Sequence, residues 1–308
     1  MKKEKINEKI EIFKLGGAFF DPITIKNFFN FLSRYYFHKR LYVVSAVAGV
    51  TRLLDTIYFV QKQKNIETSY KEQVKELALK EFLKVHQSLI DELFTDTQLK
   101  KIIEVDFFQL HQWLRSVTST EVIDEKYHAQ ILKFGELASS QILSRYLKYI
   151  HMDNLLLNAG DYLISEVHNG DFCHAEVSYV KPLDNLFNYS KTLITQGFIS
   201  KNKLGEDTVL SYDGSDTSAA ELASELRKSS SVDLIFWKDV CGIYTADPKH
   251  IAHKSYKAQM SYDVALNQLE ETGTFPVAKQ ALIVLKEAGI ASKVRSYLNF
   301  NEDGTDLY

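Results

Sequence analysis

Cysteine is nearly missing from this chain: two in 308 residues, Cys173 and Cys241, far apart in sequence. Neither a disulfide framework nor a zinc site is expected from such a pair, and the usage fits a reducing cytoplasm. Proline (4) and glycine (13) are also sparse. Scarce glycines tend to mark tight turns or close approach to a ligand. No strong charge of one sign exists, because 37 Lys and Arg face 40 Asp and Glu for a net charge of -3. That balance argues against nucleic acid and anionic lipid as partners. No apolar run approaches the roughly 20 residues of a membrane span. The charged start, Met1 to Lys9, lacks the apolar core of a signal peptide.

What remains is an ordinary globular balance, 45% hydrophobic and 25% charged, with ample material for a core. The length suits one large α/β domain or two lobes sharing a sheet. Ile10 to Leu15 reads as a buried strand ending at Gly16-Gly17, and Leu41 to Ala46 as a second, followed by Gly49. Both are apolar on two faces, as central parallel strands are. Thr24 to Arg40 between them is helix-like, giving a strand–turn–helix–strand unit. From about Gln61 to Leu147 the pattern turns helical. Leu155 to Leu157, Glu176 to Val180 and Leu193 to Gln196 return to strand. Thr217 to Lys228 is strongly helical, with polar start and basic end matching the helix dipole. Val232 to Trp237 is another buried strand. Helices over Tyr262 to Glu271 and Val277 to Gly289 precede a final strand over Ser292 to Leu298. No linker interrupts the pattern, so both halves are expected to share one sheet.

Three turns carry chemistry. Lys14-Leu15-Gly16-Gly17 ends the first strand; two glycines open the backbone N–H groups to an anion, and the lysine adds a point charge. Alone, this is equally consistent with a plain strand-to-helix turn. Gly214-Ser215-Asp216-Thr217 opens a helix, whose first N–H groups are unpaired and favour an anion. Asp216 can hold Mg²⁺ or orient Lys14, and simple N-capping explains the same residues. Finally Trp237-Lys238-Asp239-Val240-Cys241-Gly242-Ile243-Tyr244-Thr245-Ala246-Asp247-Pro248-Lys249 leaves a strand end, where ligands bind in open α/β sheets. Tyr244 can flank a base and Lys249 can reach phosphate.

Taken together these segments resemble the amino-acid kinase family, and within it the aspartate kinases. Val43 to Thr51 (VVSAVAGVT) resembles its second-strand motif, and Phe134 to Ser139 (FGELAS) a helix start. Ile194 to Ile199 (ITQGFI) resembles a substrate-side strand and turn, GSDTSAA a phosphate turn, and KDVCGIYTADPK a nucleotide loop. With the Lys-x-Gly-Gly turn, six motifs follow in order from about Ile10 to Thr305. The resemblance implies a three-layer α/β/α sandwich on a mostly parallel central sheet. It implies transfer of phosphate from ATP, with Mg²⁺, to an amino-acid carboxylate, L-aspartate first, in a cytoplasmic homodimer. About 10–190 would bind the amino acid and form the dimer contact; about 191–305 would bind the nucleotide. Lys14, Gly16, Gly17, Gly214, Ser215 and Asp216 would surround the transferred phosphate, with Lys14 and Asp216 catalytic. Ser45, Thr51, Glu136, Phe198 and Tyr212 would line the acceptor pocket, Glu136 receiving the substrate ammonium. Lys238, Asp239, Tyr244, Asp247, Pro248 and Lys249 would hold the nucleotide. No effector-binding ACT domain is expected within these residues.

The departures from the family pattern fall on both the acceptor and the nucleotide side. Tyr212 stands where the family has the arginine that grips the substrate carboxylate, and Asp213 follows it. Tyrosine donates one hydrogen bond and brings no charge. Ala18 and Phe19 replace Thr-Ser, Lys238 replaces Thr, and Phe275 replaces a nucleotide-side Lys that Lys279 could supply if the loop shifts. Three readings are open: an aspartate kinase with relaxed geometry, a kinase for another carboxylate, or a catalytically weak relative acting as a regulatory or binding partner.

Overall fold

The structure is a computed structural model that describes residues 9–35, 38–244 and 256–308. The first strand and helix are β1 (Lys9–Leu15) and α1 (Pro22–Leu32), and β2 (Lys39–Val44) follows. Five helices come next: α2 (Val50–Lys62), α3 (Thr68–Leu93), α4 (Thr97–Val117), α5 (Glu125–Leu132) and α6 (Phe134–Tyr149). Then come the strands β3 (Leu155–Leu156), β4 (Leu163–Glu166), β5 (Glu176–Val180), β6 (Thr192–Gln196), β7 (Ile199–Asn202) and β8 (Asp207–Val209). After them lie α7 (Gly214–Arg227), β9 (Ser231–Lys238), β10 (Ile243–Tyr244), β11 (Tyr256–Lys257) and β12 (Gln259–Met260). The chain closes with α8 (Tyr262–Thr272), α9 (Lys279–Ala288), β13 (Ser292–Ser296) and β14 (Thr305–Leu307).

The central sheet has eight strands in the order β12-β14-β13-β9-β1-β2-β6-β3 and is parallel except at the β13–β14 pair. It runs without a break across both halves of the sequence. Side chains alternate between its faces, as a pleated strand requires. Phe13, Leu15, Tyr42, Val44, Ile235 and Trp237 join one core with the helices α1 to α6. Ile10, Ile12, Leu41, Val43, Leu234 and Phe236 join another with α7 to α9. The result is the expected three-layer α/β/α sandwich. β4, β5, β7 and β8 form a separate small sheet.

Several boundaries differ from the sequence reading. The helix expected over Thr24 to Arg40 starts earlier, because Asp21 caps it through the Thr24 N–H and Pro22 takes its first turn. It also stops at Leu32, because Arg40 belongs to β2, where its buried side chain meets Glu11 at 2.7 Å. The helical region also begins before Gln61, at Val50, where Gly49 takes a left-handed φ of 85°.

β1 sits between β2 and β9, so Lys14 faces Val43 on one side and Phe236 on the other. The turns after β1, β2, β6 and β9 therefore open at the same edge of the sheet, the carboxyl ends of parallel strands.

Candidate active site

Those turns enclose a cavity of about 490 Å³. Lys14 enters it from β1 and Gly16, Gly17 and Ala18 from the turn after it; Ser45 comes from the turn after β2, Thr51 and Arg52 from the first turn of α2, and Glu136 from α6. Phe198, Tyr212, Asp213, Gly214 and Ser215 come from the β6 turn and the start of α7, and Trp237, Lys238 and Asp239 from β9. Phe19, expected to add bulk to the pocket, points away from it: its ring packs on Phe28 at 5.0 Å and Tyr297 at 5.6 Å, fully buried.

Asp216 lies behind the Gly16-Gly17 and Gly214-Ser215 turns. Its Oδ1 is 2.8 Å from Lys14 Nζ, and its Oδ2 is 3.1 Å from Lys238 Nζ and accepts the Ala278 N–H at 3.1 Å. Burial alone would raise this carboxyl, but the two lysine charges outweigh it and hold it below the usual range. Burial pulls the Lys238 ammonium below the usual lysine range, and Asp216 only partly offsets that. Lys14 has the same sheet parity as Ile10 and Ile12, which is why its side chain crosses to α7. Asp216 thus orients Lys14, with Lys238 as a second cation.

The backbone around this cluster is packed too closely for side chains. A Cβ on Gly17 would lie 2.6 Å from the Ala46 carbonyl oxygen; one on Gly197 would lie 2.5 Å from Ser215 Cβ. Phe198 holds a left-handed φ of 67°, a strained state for a bulky residue. Its N–H donates to Ser218 Oγ at 2.9 Å, tying the turn to α7.

On the α6 side of the cavity, Glu136 is buried at 3% exposure. The Ala46 N–H donates to its Oε1 at 3.0 Å, while its Oε2 is buried with no hydrogen-bond partner among the described residues. Burial pushes this carboxyl up to about 8, against the opposing pull of the Ala46 N–H and the Lys14 charge. Ser139 Oγ donates to the Ser45 carbonyl at 2.7 Å and fixes α6 against the β2 turn.

Tyr212 lines the cavity, but its hydroxyl donates to Asp55 Oδ2. Burial, then that carboxylate, pushes the phenol up to about 12. The hydroxyl is thus committed to a neighbour. Arg52 also lines the cavity, and its guanidinium has no acid partner among the described residues. Sequence reasoning missed it, although it directly follows Thr51.

Of the proposed nucleotide residues, Lys238 and Asp239 line the cavity. Tyr244 does not; its ring lies 6.4 Å from Tyr256. Asp247, Pro248 and Lys249 lie outside the described residues. Phe275 packs on the α7-side core, and Lys279 pairs with Glu270 at 2.9 Å at the surface, so neither supplies a cation to the cavity.

Residues 9–296 match the amino acid kinase family. The chain is 26% identical over 277 residues to the chloroplastic bifunctional aspartokinase/homoserine dehydrogenase 1 of Arabidopsis thaliana, covering 87% of this chain and 29% of that one. It is 26% identical over 272 residues to an aspartokinase of Chlamydia trachomatis, covering 85% and 56%. It therefore spans less than a third of the plant relative and little more than half of the bacterial one. In fold it is similar to E. coli aspartokinase III in complex with aspartate and ADP, with TM-score 0.80 at 20% identity, over 97% of this chain and 64% of that one.

Proposed function

The chain belongs to the amino acid kinase family, and we propose that it transfers the γ-phosphoryl group of ATP to the side-chain carboxylate of L-aspartate. A carboxylate oxygen attacks the γ-phosphorus, the bond to the bridging oxygen breaks, and ADP leaves with the electron pair. The products are 4-phospho-L-aspartate and ADP. Such a transfer needs fixed positive charge around the moving phosphoryl group more than covalent help. The observation that carries the reading is the Lys14–Asp216–Lys238 cluster, sharing one cavity edge with two glycine turns and Glu136.

In this reading Lys14, Lys238 and the N–H groups at Gly16, Gly17 and Ser215 receive the phosphoryl oxygens, while Gly214, whose N–H donates to the Ser211 carbonyl at 2.8 Å, shapes the turn. Asp216 positions the lysines. The free oxygen of Glu136 takes the substrate ammonium, Ser45, Thr51 and Phe198 wall the acceptor, and Arg52 takes its remaining carboxylate. Tyr244, Asp247, Pro248 and Lys249 belong to the nucleotide. Mg²⁺ would arrive on the ATP phosphates and neutralise charge between them. Asp213 and Asp239 line the cavity with no cation partner among the described residues, and suit the water shell such an ion keeps.

About residues 10–190 serve the acceptor and a homodimer contact and about 191–305 serve the nucleotide, in a cytoplasmic enzyme of amino-acid biosynthesis. Exposed Ile102, Val105 and Phe108 on α4 support a subunit contact on the first part. Light scattering on the eluting protein reads the assembly directly: a dimer mass supports it and a monomer at micromolar concentration refutes it.

The loss of the family arginine favours a second reading, a different carboxylate acceptor. ADP formation across aspartate, glutamate and other small acids separates the two. Turnover with aspartate supports the first reading, and turnover only with another acid selects the second. No turnover with any acid refutes both.

A further inference from the structure

We propose that the chain carries a transition-metal site, of the Zn²⁺ class, built by Glu125, His128 and Cys173 at a second cavity, beside Tyr58 and Lys62. This site is independent of the phosphoryl-transfer reading. Glu125 and His128 stand one turn apart at the start of α5, and Cys173 comes from the loop between β4 and β5. One ligand atom from each lies within 4.8 Å of the other two. His128 Nδ1 and Glu125 Oε2 are already 3.7 Å apart. A four-coordinate ion with bonds of about 2.0–2.3 Å sets its ligands roughly 3.3–3.8 Å apart. The three residues need only small side-chain movements to close on it.

The imidazole carries the argument. His128 is 6% exposed, and its Nδ1 is buried with no hydrogen-bond partner among the described residues. Its other nitrogen, Nε2, lies 2.7 Å from Asp55 Oδ1. A carboxylate there draws the proton to Nε2 and leaves the lone pair on Nδ1, facing Glu125 and Cys173. A buried acceptor without a donor is costly, and a metal ion removes that cost. Carboxylate-bound histidine is also the arrangement that orients metal ligands in known sites. The Tyr58 ring stacks on the imidazole at 3.8 Å and 6° and locks its plane. Tyr58 and Lys62 occupy only Oε1 of Glu125, leaving Oε2 for the ion. The cavity beside them, about 370 Å³, admits the ion and a water as fourth ligand. Imidazole, thiolate and carboxylate together select Zn²⁺ or Co²⁺ over Mg²⁺ or Ca²⁺.

The test uses the full chain, stripped with a chelator and titrated with Co²⁺ or Zn²⁺. One Co²⁺ per chain is expected, with near-ultraviolet thiolate-to-cobalt absorption and the visible bands of a four-coordinate ion. Saturating Zn²⁺ raises the melting temperature. Cys173→Ser abolishes the near-ultraviolet absorption, and Cys241→Ser keeps it. Glu125→Gln, at a half-buried helix start where the amide keeps the shape of the side chain, weakens Zn²⁺ binding at least about 10-fold and stands in if Cys173→Ser does not fold. Asp55→Asn weakens it about 10–100-fold through His128 while keeping the absorption. The proposal is overturned if the native chain takes up no stoichiometric ion. It is equally overturned if the absorption survives in Cys173→Ser, or if binding is unchanged in Glu125→Gln.

Discussion

Lys14 and Asp216 lie 2.8 Å apart across the sheet face, joining the end of β1 to the first turn of α7. The pair is buried, and Asp216 also holds Lys238, so one carboxylate sets the position of two ammonium groups.

Removing Lys14 therefore leaves the carboxylate neutralised, whereas removing Asp216 leaves two cations facing each other. Lys14→Ala should lower kcat by about 10²–10³-fold, the usual cost of one lost electrostatic contact to the transition state. Its melting temperature should stay close to the parent. Asp216→Asn should lose activity and also about 3–5 kcal/mol of stability, as a broken buried pair does. Steady-state kinetics and thermal melts on both variants read this; equal stability loss in the two would contradict it.

Glu136 gives a proton-linkage prediction. With its carboxyl pushed up to about 8, the empty site is protonated at pH 7. A substrate ammonium beside Oε2 favours the ionised form and lowers that value. Binding of the amino acid at pH 7 should release close to one proton, and at pH 9, where Glu136 is already ionised, almost none. Calorimetry in buffers of different ionisation enthalpy measures the number. Release that does not fall between pH 7 and pH 9 would count against this role, as would release unchanged in Glu136→Gln.

Arg52 should behave as an acceptor residue. Arg52→Ala should raise KM for aspartate by about 30–160-fold, the equivalent of losing a charged contact worth roughly 2–3 kcal/mol. KM for ATP should change little. An equal rise for both substrates would mean that the change acts through the fold.

Gly197→Ala tests the close packing that seats α7. The added methyl would lie 2.5 Å from Ser215 Cβ and 2.7 Å from its Cα, so the helix start must shift. Overpacking of this kind costs about 1–3 kcal/mol, and the shift moves the turn at Gly214-Ser215. A lowered melting temperature together with a lowered kcat is expected. A melt and rate like the parent's would show that the turn yields freely.

How much of this was legible in the sequence depended on range. The β1 strand with its Gly-Gly turn and the Gly-Ser-Asp-Thr helix start are local patterns, and both turns meet at one cavity as expected. The helix after β1 was overrun, because its aromatic and basic pattern continues past Leu32 into β2. The direction of Phe19 was hidden for a related reason: a short turn carries no period, so its ring could have faced the pocket or the core. The link from Tyr212 to Asp55, and from Asp55 to His128, joins segments with no periodic signal between them. Arg52 stood out only once Tyr212 proved to be occupied.

The most direct test of the account is trapping of the acyl phosphate. The purified chain is incubated with ATP, Mg²⁺, L-aspartate and hydroxylamine, beside Lys14→Ala. The account predicts ATP-dependent aspartyl hydroxamate from the parent chain, matched in amount by ADP, and little or none from the variant. ADP without hydroxamate, or equal hydroxamate from both proteins, would contradict it.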